Sequence, residues 1–245
     1  MKKNRFIKNI NPLFLNGIAH RGLHNEFCSE NGLKAFENAK NHHVPFELDV
    51  HLTLDHQLII AHDEQLERMT NKKGIVEELN LDDIKNNYHL LDGEEIPTLK
   101  EVLDLINEEV PIVVELKVYK KNHKELAKKV LEELSVIKDK KNIMLISFDP
   151  RALRLVKKKG YMTSLLVTSE HEWTYIFRHF FDSLDLDKIM LKERRVQRYQ
   201  KKHFVNAWTI NSLSDLNECC PLVDTVTFEG ISLEEVKKHL QKPNI

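Results

Sequence analysis

The feature that most constrains this chain is an alternation. Short apolar runs, read as strands, are separated by longer stretches with helical periodicity. Such alternation builds βα units around a parallel sheet. Candidate strands are Gly17–His20, Phe46–Val50, Ile112–Leu116, Ile143–Ser147, Thr163–Val167, Lys188–Leu191, Val205–Ile210 and Thr225–Phe228. Helical patterns cover 32–41, 99–108, 124–137, 150–159, 170–184, 196–202 and 212–220, and 232–240 closes the series with Ser232 placed as its cap. Eight strands, each followed by a helical segment, predict an α/β fold of the (β/α)8 TIM-barrel type, for which 245 residues is an ordinary length. A doubly wound open sheet would show the same alternation, but no glycine-rich nucleotide loop follows the first strand. After the second strand comes a short inserted segment, about residues 52–97, in which the apolar run Leu58–Ala61 is reached through a turn at 55–57. No Ser/Gly-rich linker and no internal repeat is visible, so residues 1–245 read as a single barrel domain with an inserted arm.

The bulk properties remove several classes of function. A formal charge of −1 provides no general field for nucleic acid or an anionic membrane, so no nucleic-acid partner is expected. The basic runs 157–159 and 192–198 read as solvated helix faces. Cys28, Cys219 and Cys220 form neither a disulfide framework nor a metal-ligand spacing; the adjacent pair reads as small apolar residues at a helix end. No stretch has the character of a signal peptide or the roughly 20 apolar residues of a membrane span, so a cytoplasmic setting is expected. Trp173, Ile176, Phe177, Phe180 and Phe181 fall at helical spacing. We read them as packing against the barrel; membrane contact through a lipid-facing patch is the less favoured reading.

Residues capable of chemistry lie at the carboxyl ends of the predicted strands, the ends that converge on one face of a β/α barrel. Glu47 and Asp49 are two apart on one strand and therefore face the same side. Glu115 and Lys117 repeat the spacing on the next strand. Three inward carboxylates need compensation, either from Arg21 and Lys117 or from a hard divalent cation with oxygen ligands, Ca²⁺ or Mg²⁺. His20 and His62 are the natural proton carriers. Arg21 offers a planar fork for phosphate, and Gly22 would let the backbone turn at the mouth.

Taken together, Ile18-Ala19-His20-Arg21-Gly22, Glu30-Asn31, Glu47-Leu48-Asp49-Val50 with Thr53 and Asp55, His62-Asp63, Arg68-Met69-Thr70, Gly74, Ile96-Pro97-Thr98-Leu99 with Glu101, Glu115-Leu116-Lys117, Ser147-Phe148 and Ala207-Trp208-Thr209 resemble the glycerophosphodiester phosphodiesterases, in order and spacing, over about 210 residues. The resemblance implies metal-dependent hydrolysis of a small glycerophosphodiester to sn-glycerol 3-phosphate and an alcohol, through a cyclic phosphate. It implies His20 and His62 as acid and base, Glu47, Asp49 and Glu115 as ligands of one divalent cation, Arg21 and Lys117 on phosphate, Glu30 orienting Arg21, and Phe148 and Trp208 as apolar walls. A lysophospholipase D or phosphoinositide-type phospholipase, or a non-catalytic phosphate-binding barrel, are the alternatives. The chain departs from the family at Ser29, read as a helix cap, and at Thr227-Phe228-Glu229-Gly230, where the family commonly has Thr-Asp-x-Pro; Glu229 is left outside the expected site.

Overall fold

A computed structural model describes residues 3–241. Its framework is a ring of eight parallel strands: β1 (Ile18–Ala19), β2 (Phe46–Leu52), β4 (Ile112–Leu116), β5 (Ile143–Ser147), β6 (Met162–Val167), β7 (Ser183–Asp187), β8 (Val205–Ile210) and β9 (Thr225–Phe228), with β9 pairing back onto β1. The closed TIM-type barrel expected from the sequence is therefore present, and the open doubly wound sheet is not. A short strand β3 (Leu58–Ile60) lies antiparallel on the far end of β2, with Val50 opposite Ile60.

Strand alternation separates the two sides of the wall. Phe46, Leu48 and Val50, Ile112, Val114 and Leu116, and Leu184 and Leu186 point outward into one continuous apolar layer under the helices. Those helices start where local chemistry sets them. Thr98 and Glu101 form a reciprocal capping box that opens α5 (Leu99–Ile106), which buries Leu99, Val102, Leu103 and Ile106 along one stripe. Asp149 and Pro150 open α7 (Pro150–Lys157), and Ser232 caps α10 (Leu233–Leu240) as expected. Ser29 does not cap: Gly32 occupies the cap position of α2 (Leu33–Asn41), and the Ser29 amide is instead held by Asp92.

The segment between β2 and α5 carries β3, α3 (Glu67–Thr70) and α4 (Leu81–Asn87) around a small core of its own, formed by Ile59, Leu66, Val76, Ile84, Tyr88, Leu90 and Ile96. This core holds His62 and Asp63 over the barrel mouth.

Two expectations change in the second half of the barrel. The strand expected at Lys188–Leu191 is a 3-10 turn, and the real strand is Ser183–Asp187. Its sequence, Ser-Leu-Asp-Leu-Asp, alternates with polar residues on the inward side, so it shows no apolar run. The helix expected over 170–184 is a 3-10 segment, Glu172–Phe180, that ends before β7. Of the aromatic stripe, Phe181 is buried and Phe177 packs on the core, but Trp173, Ile176 and Phe180 stand more than half exposed, against the expectation that the stripe packs on the barrel.

At the amino-terminal end of the barrel, Phe6, Ile10 and Phe14 pack onto the inward residues Ile18, Val113, Met144, Ile146, Leu166 and Phe204 and close it. Thr225 ties this plug down, its hydroxyl donating to the Phe14 carbonyl at 2.6 Å. Phe14 is fully buried. Phe14→Ala should cost about 3–5 kcal/mol of unfolding free energy, read from the urea midpoint at unchanged slope; a shift below about 1 kcal/mol would show that the plug carries little of the stability.

Candidate active site

Glu47 and Asp49 project inward from β2, and Glu115 projects inward from β4, where it lies opposite Asp49 in the strand register. All three are buried, and one oxygen of each lies within 4.8 Å of the other two. Burial, with Asp49 and Glu115 close by, pushes Glu47 well above the usual carboxylate range. Burial likewise pushes Glu115 up to about 7, although Lys117 draws it down. Asp49 goes the other way: burial is outweighed by Lys117, His62, Arg21 and a hydrogen bond from Asn31, and its carboxyl is held well below the ordinary value.

The cations around this cluster do not saturate it. Lys117 Nζ lies 3.1 Å from Glu115 and 3.4 Å from Asp49 Oδ1, and Arg21 Nε is 3.5 Å from Asp49 Oδ2. Asp49 Oδ1 is nevertheless buried with no hydrogen bond. Three converging carboxylates, one of whose oxygens has no hydrogen bond among the described residues, are a donor set suited to a hard divalent cation, so Glu47, Asp49 and Glu115 are the residues able to hold one. Lys117, at the edge of the same cluster, supplies the ion-pair part of the compensation.

Arg21 has a positive φ of 52° and is followed by Gly22 at 86°, where an added Cβ would come within 2.9 Å of Ala35. The tight turn brings the Arg21 amide to Glu47 Oε2 at 3.1 Å and its guanidinium to Glu30 at 2.7 Å. Glu30 also accepts from Arg68 at 2.7 Å, and Arg68 reaches Asp63, which in turn faces His62 Nδ1 at 2.8 Å. One chain of charge thus runs His62–Asp63–Arg68–Glu30–Arg21. Burial, with Lys117 and Arg21 adding to it, lowers the His62 pKa against the pull of Asp49.

Every residue expected at the site is gathered at this mouth. His20, Arg21, Glu47, His62, Glu115, Phe148 and Trp208 line one cavity of about 190 Å³, and Phe148 meets Trp208 edge-on at 5.9 Å. It is flanked by an open groove of about 1260 Å³ that is bordered by Glu115, Lys117, Tyr119, Phe148, Trp173 and Phe177. Three further residues lie at the mouth that the sequence reading did not assign to the site. Glu229, left outside the expected site, lies 2.7 Å from His20 Nδ1, and His20 first and His24 second hold its carboxyl far below the ordinary value. Its position two residues after Thr227 on β9 was the available signal: that spacing faces the mouth. Asn31 is buried, has a φ of 58°, and donates to Asp49 at 2.9 Å. His51, two residues beyond Asp49, is clamped between Glu77 at 2.5 Å and the His62 carbonyl at 3.3 Å.

The parallel barrel thus gathers a carboxylate cluster, two histidines and an arginine fork at its carboxyl mouth. Residues 20–222 match the model of the glycerophosphoryl diester phosphodiesterase family, and the chain belongs to that family. A glycerophosphodiester phosphodiesterase of Caldanaerobacter subterraneus is 34% identical over 58% of this chain and 61% of its own length. A lysophospholipase D of Homo sapiens is 33% identical over 54% of the chain and 42% of its own. The chain thus spans about three fifths or less of these curated relatives. A phosphodiesterase of Oleispira antarctica, solved with its product sn-glycerol 3-phosphate, shares the fold with a TM-score of 0.78 at 22% identity, over 92% of this chain and 96% of that one.

The carboxyls predict a linkage with pH. A raised carboxyl favours its neutral form in the folded metal-free protein, so its contribution to stability is present below about 4.5 and is lost as pH rises through about 7 for Glu115. A bound cation requires the ionised form and reverses that loss. The rise in Tm on adding millimolar Ca²⁺ or Mg²⁺ should therefore be small near pH ~5 and grow through pH ~7 to its full value near pH ~8. An increment independent of pH, measured by calorimetry, would contradict the cluster as the cation site.

Proposed function

We propose that this chain hydrolyses glycerophosphodiesters to sn-glycerol 3-phosphate and an alcohol, with one divalent cation, Ca²⁺ or Mg²⁺, held by Glu47, Asp49 and Glu115. The observation that carries the reading is the single cavity shared by both histidines, the arginine fork and two of the three buried carboxylates. Family membership and the product named for the Oleispira structure support the substrate class. The cation, when bound, neutralises phosphoryl oxygens and lowers the pKa of an oxygen bound to it.

The chain's own residues supply the rest. Arg21, locked by Glu30, presents its fork to phosphate, and Lys117 adds a second positive charge beside it. His62, kept toward its neutral form by burial, takes the proton of the glycerol hydroxyl next to the phosphate. That hydroxyl attacks phosphorus, and a cyclic phosphate forms as the P–O bond to the alcohol breaks. His20 has Nδ1 occupied by Glu229, which leaves Nε2 to protonate the departing alcohol. Water then opens the ring, with the histidines exchanging roles. Phe148 and Trp208 wall the organic part of the substrate. Cys28, Cys219 and Cys220 are all buried, and no helix among the described residues is long and apolar enough to cross a membrane.

Release of sn-glycerol 3-phosphate from glycerophosphocholine should stop in EDTA and return with Ca²⁺ or Mg²⁺. His20→Ala should lower kcat by roughly 10²–10⁴-fold with the fold intact. Unchanged turnover in either test would remove the mechanism, and tight ligand binding without any turnover would identify a non-catalytic barrel. Glu229→Gln, which keeps shape but removes the charge behind His20, should lower kcat by about 10-fold or more and move the pH profile of kcat; a loss confined to KM would make Glu229 a binding group instead.

A further inference from the structure

Below the carboxylate cluster the barrel interior does not become apolar all the way round. On the side of β7 to β9 it carries a second polar belt. Asp185, at the centre of β7, is only 2% exposed. It accepts a hydrogen bond from the Asn206 side chain of β8, which also donates to Thr227 of β9 at 2.8 Å. No lysine, arginine or histidine pairs with Asp185 among the described residues, and burial pushes its carboxyl up to about 6. Asn206 Oδ1 and the indole N–H of Trp208 are buried beside it with no hydrogen-bond partner among the described residues. Buried polar groups left in this state are costly unless a bound molecule completes them.

Asp185, Thr227 and Trp208 line the same cavity of about 190 Å³ whose other wall is His20, Arg21, Glu47, His62 and Glu115. Ile146 and Leu166 form its apolar side and continue into the plug that closes the barrel. A ligand whose phosphate sits against the carboxylates and Arg21 therefore has a short, closed, polar recess on the far side. Glycerol has three oxygens. One is esterified to phosphorus, and the middle one belongs with the proton carriers. The terminal hydroxyl alone is left without a partner in the site described above.

We propose that Asp185, with Thr227 and Trp208 beside it, is a hydroxyl-recognising subsite that takes the terminal hydroxyl of the glycerol moiety, so that the enzyme selects fully deacylated diesters and rejects lysophospholipids esterified at that position. This deepens the phosphodiesterase reading and rests on it. An acyl ester at that hydroxyl removes the donor that Asp185 would bind and drives a long chain against a sealed apolar floor. The alcohol end then points to the open groove of about 1260 Å³ bordered by Tyr119, Trp173 and Phe177, which has room for a bulky head group. A site built to hydrogen-bond a hydroxyl discriminates strongly against the analogue lacking it, because its own buried groups are then left unpaired.

The test compares glycerophosphocholine with the phosphocholine diester of propane-1,2-diol, which keeps the attacking hydroxyl and lacks only the terminal one. Wild-type protein should prefer the glycerol diester by about 10²-fold or more in kcat/KM. In Asp185→Asn the preference should collapse to within about 10-fold, chiefly through loss on the glycerol substrate. 1-Acyl lysophosphatidylcholine should be turned over at least as poorly as the propanediol diester. Equal wild-type rates on the two diesters, an equal loss on both in the variant, or ready hydrolysis of the lysolipid would each overturn the subsite. Should Asp185→Asn fail to fold by circular dichroism, the wild-type pair decides alone. A calorimetric comparison of sn-glycerol 3-phosphate with propane-1,2-diol phosphate separates the two levels. Preferential binding of the glycerol compound without turnover of any diester would retain the subsite and refute the phosphodiesterase. Equal binding alongside normal turnover would do the reverse.

Discussion

The arrangement depends on the energetic difficulty of placing three carboxylates on the inner wall of one barrel mouth. Glu47, Asp49 and Glu115 are almost removed from water, and burial alone would keep them neutral. Only Asp49 is firmly ionised, because Lys117, Arg21 and Asn31 all reach it. The site is therefore poised: it has too much positive charge for three neutral acids and too little for three ionised ones. A divalent cation would resolve that imbalance, and the backbone turn at Arg21-Gly22 brings an amide to Glu47 and a guanidinium to Glu30.

The two histidines at the mouth, His20 and His62, are held in different ways. His20 comes from the end of β1 and leans on Glu229 just beyond the adjacent β9, whereas His62 comes from the added segment beyond β3 and is linked to the barrel by the run Asp63–Arg68–Glu30–Arg21. His51 and Glu77 brace the backbone at His62 from behind. A small independent core, with Ile59, Val76 and Ile84 at its centre, keeps that segment in register with the mouth. The excursion after β2 is thus part of the architecture of the mouth and more than a surface elaboration.

Much of this was legible in the sequence, and the failures have a common physical cause. Apolar runs locate strands whose inward residues are apolar or sparse in charge, as in Ile143–Ser147 or Thr225–Phe228. They fail for β7, where Ser183, Asp185 and Asp187 face inward and only Leu184 and Leu186 remain to mark the strand, while the nearby run 188–191 is apolar but lies on a 3-10 turn with Ile189 exposed. Spacing by two identified Glu47 with Asp49 and Glu115 with Lys117, but the same rule was not extended to His51 or Glu229. Partners contributed by distant strands, such as Asn206 to Asp185, leave no local trace at all.

The plug formed by Phe6, Ile10 and Phe14 has a kinetic implication. Among the described residues these side chains stopper the lower end, so the inner recess is reached from the carboxyl mouth. In the proposed reaction the fragment held in that recess would leave after the one nearer the doorway. A compound resembling the inner fragment can also enter an empty barrel from the doorway and block the next arrival.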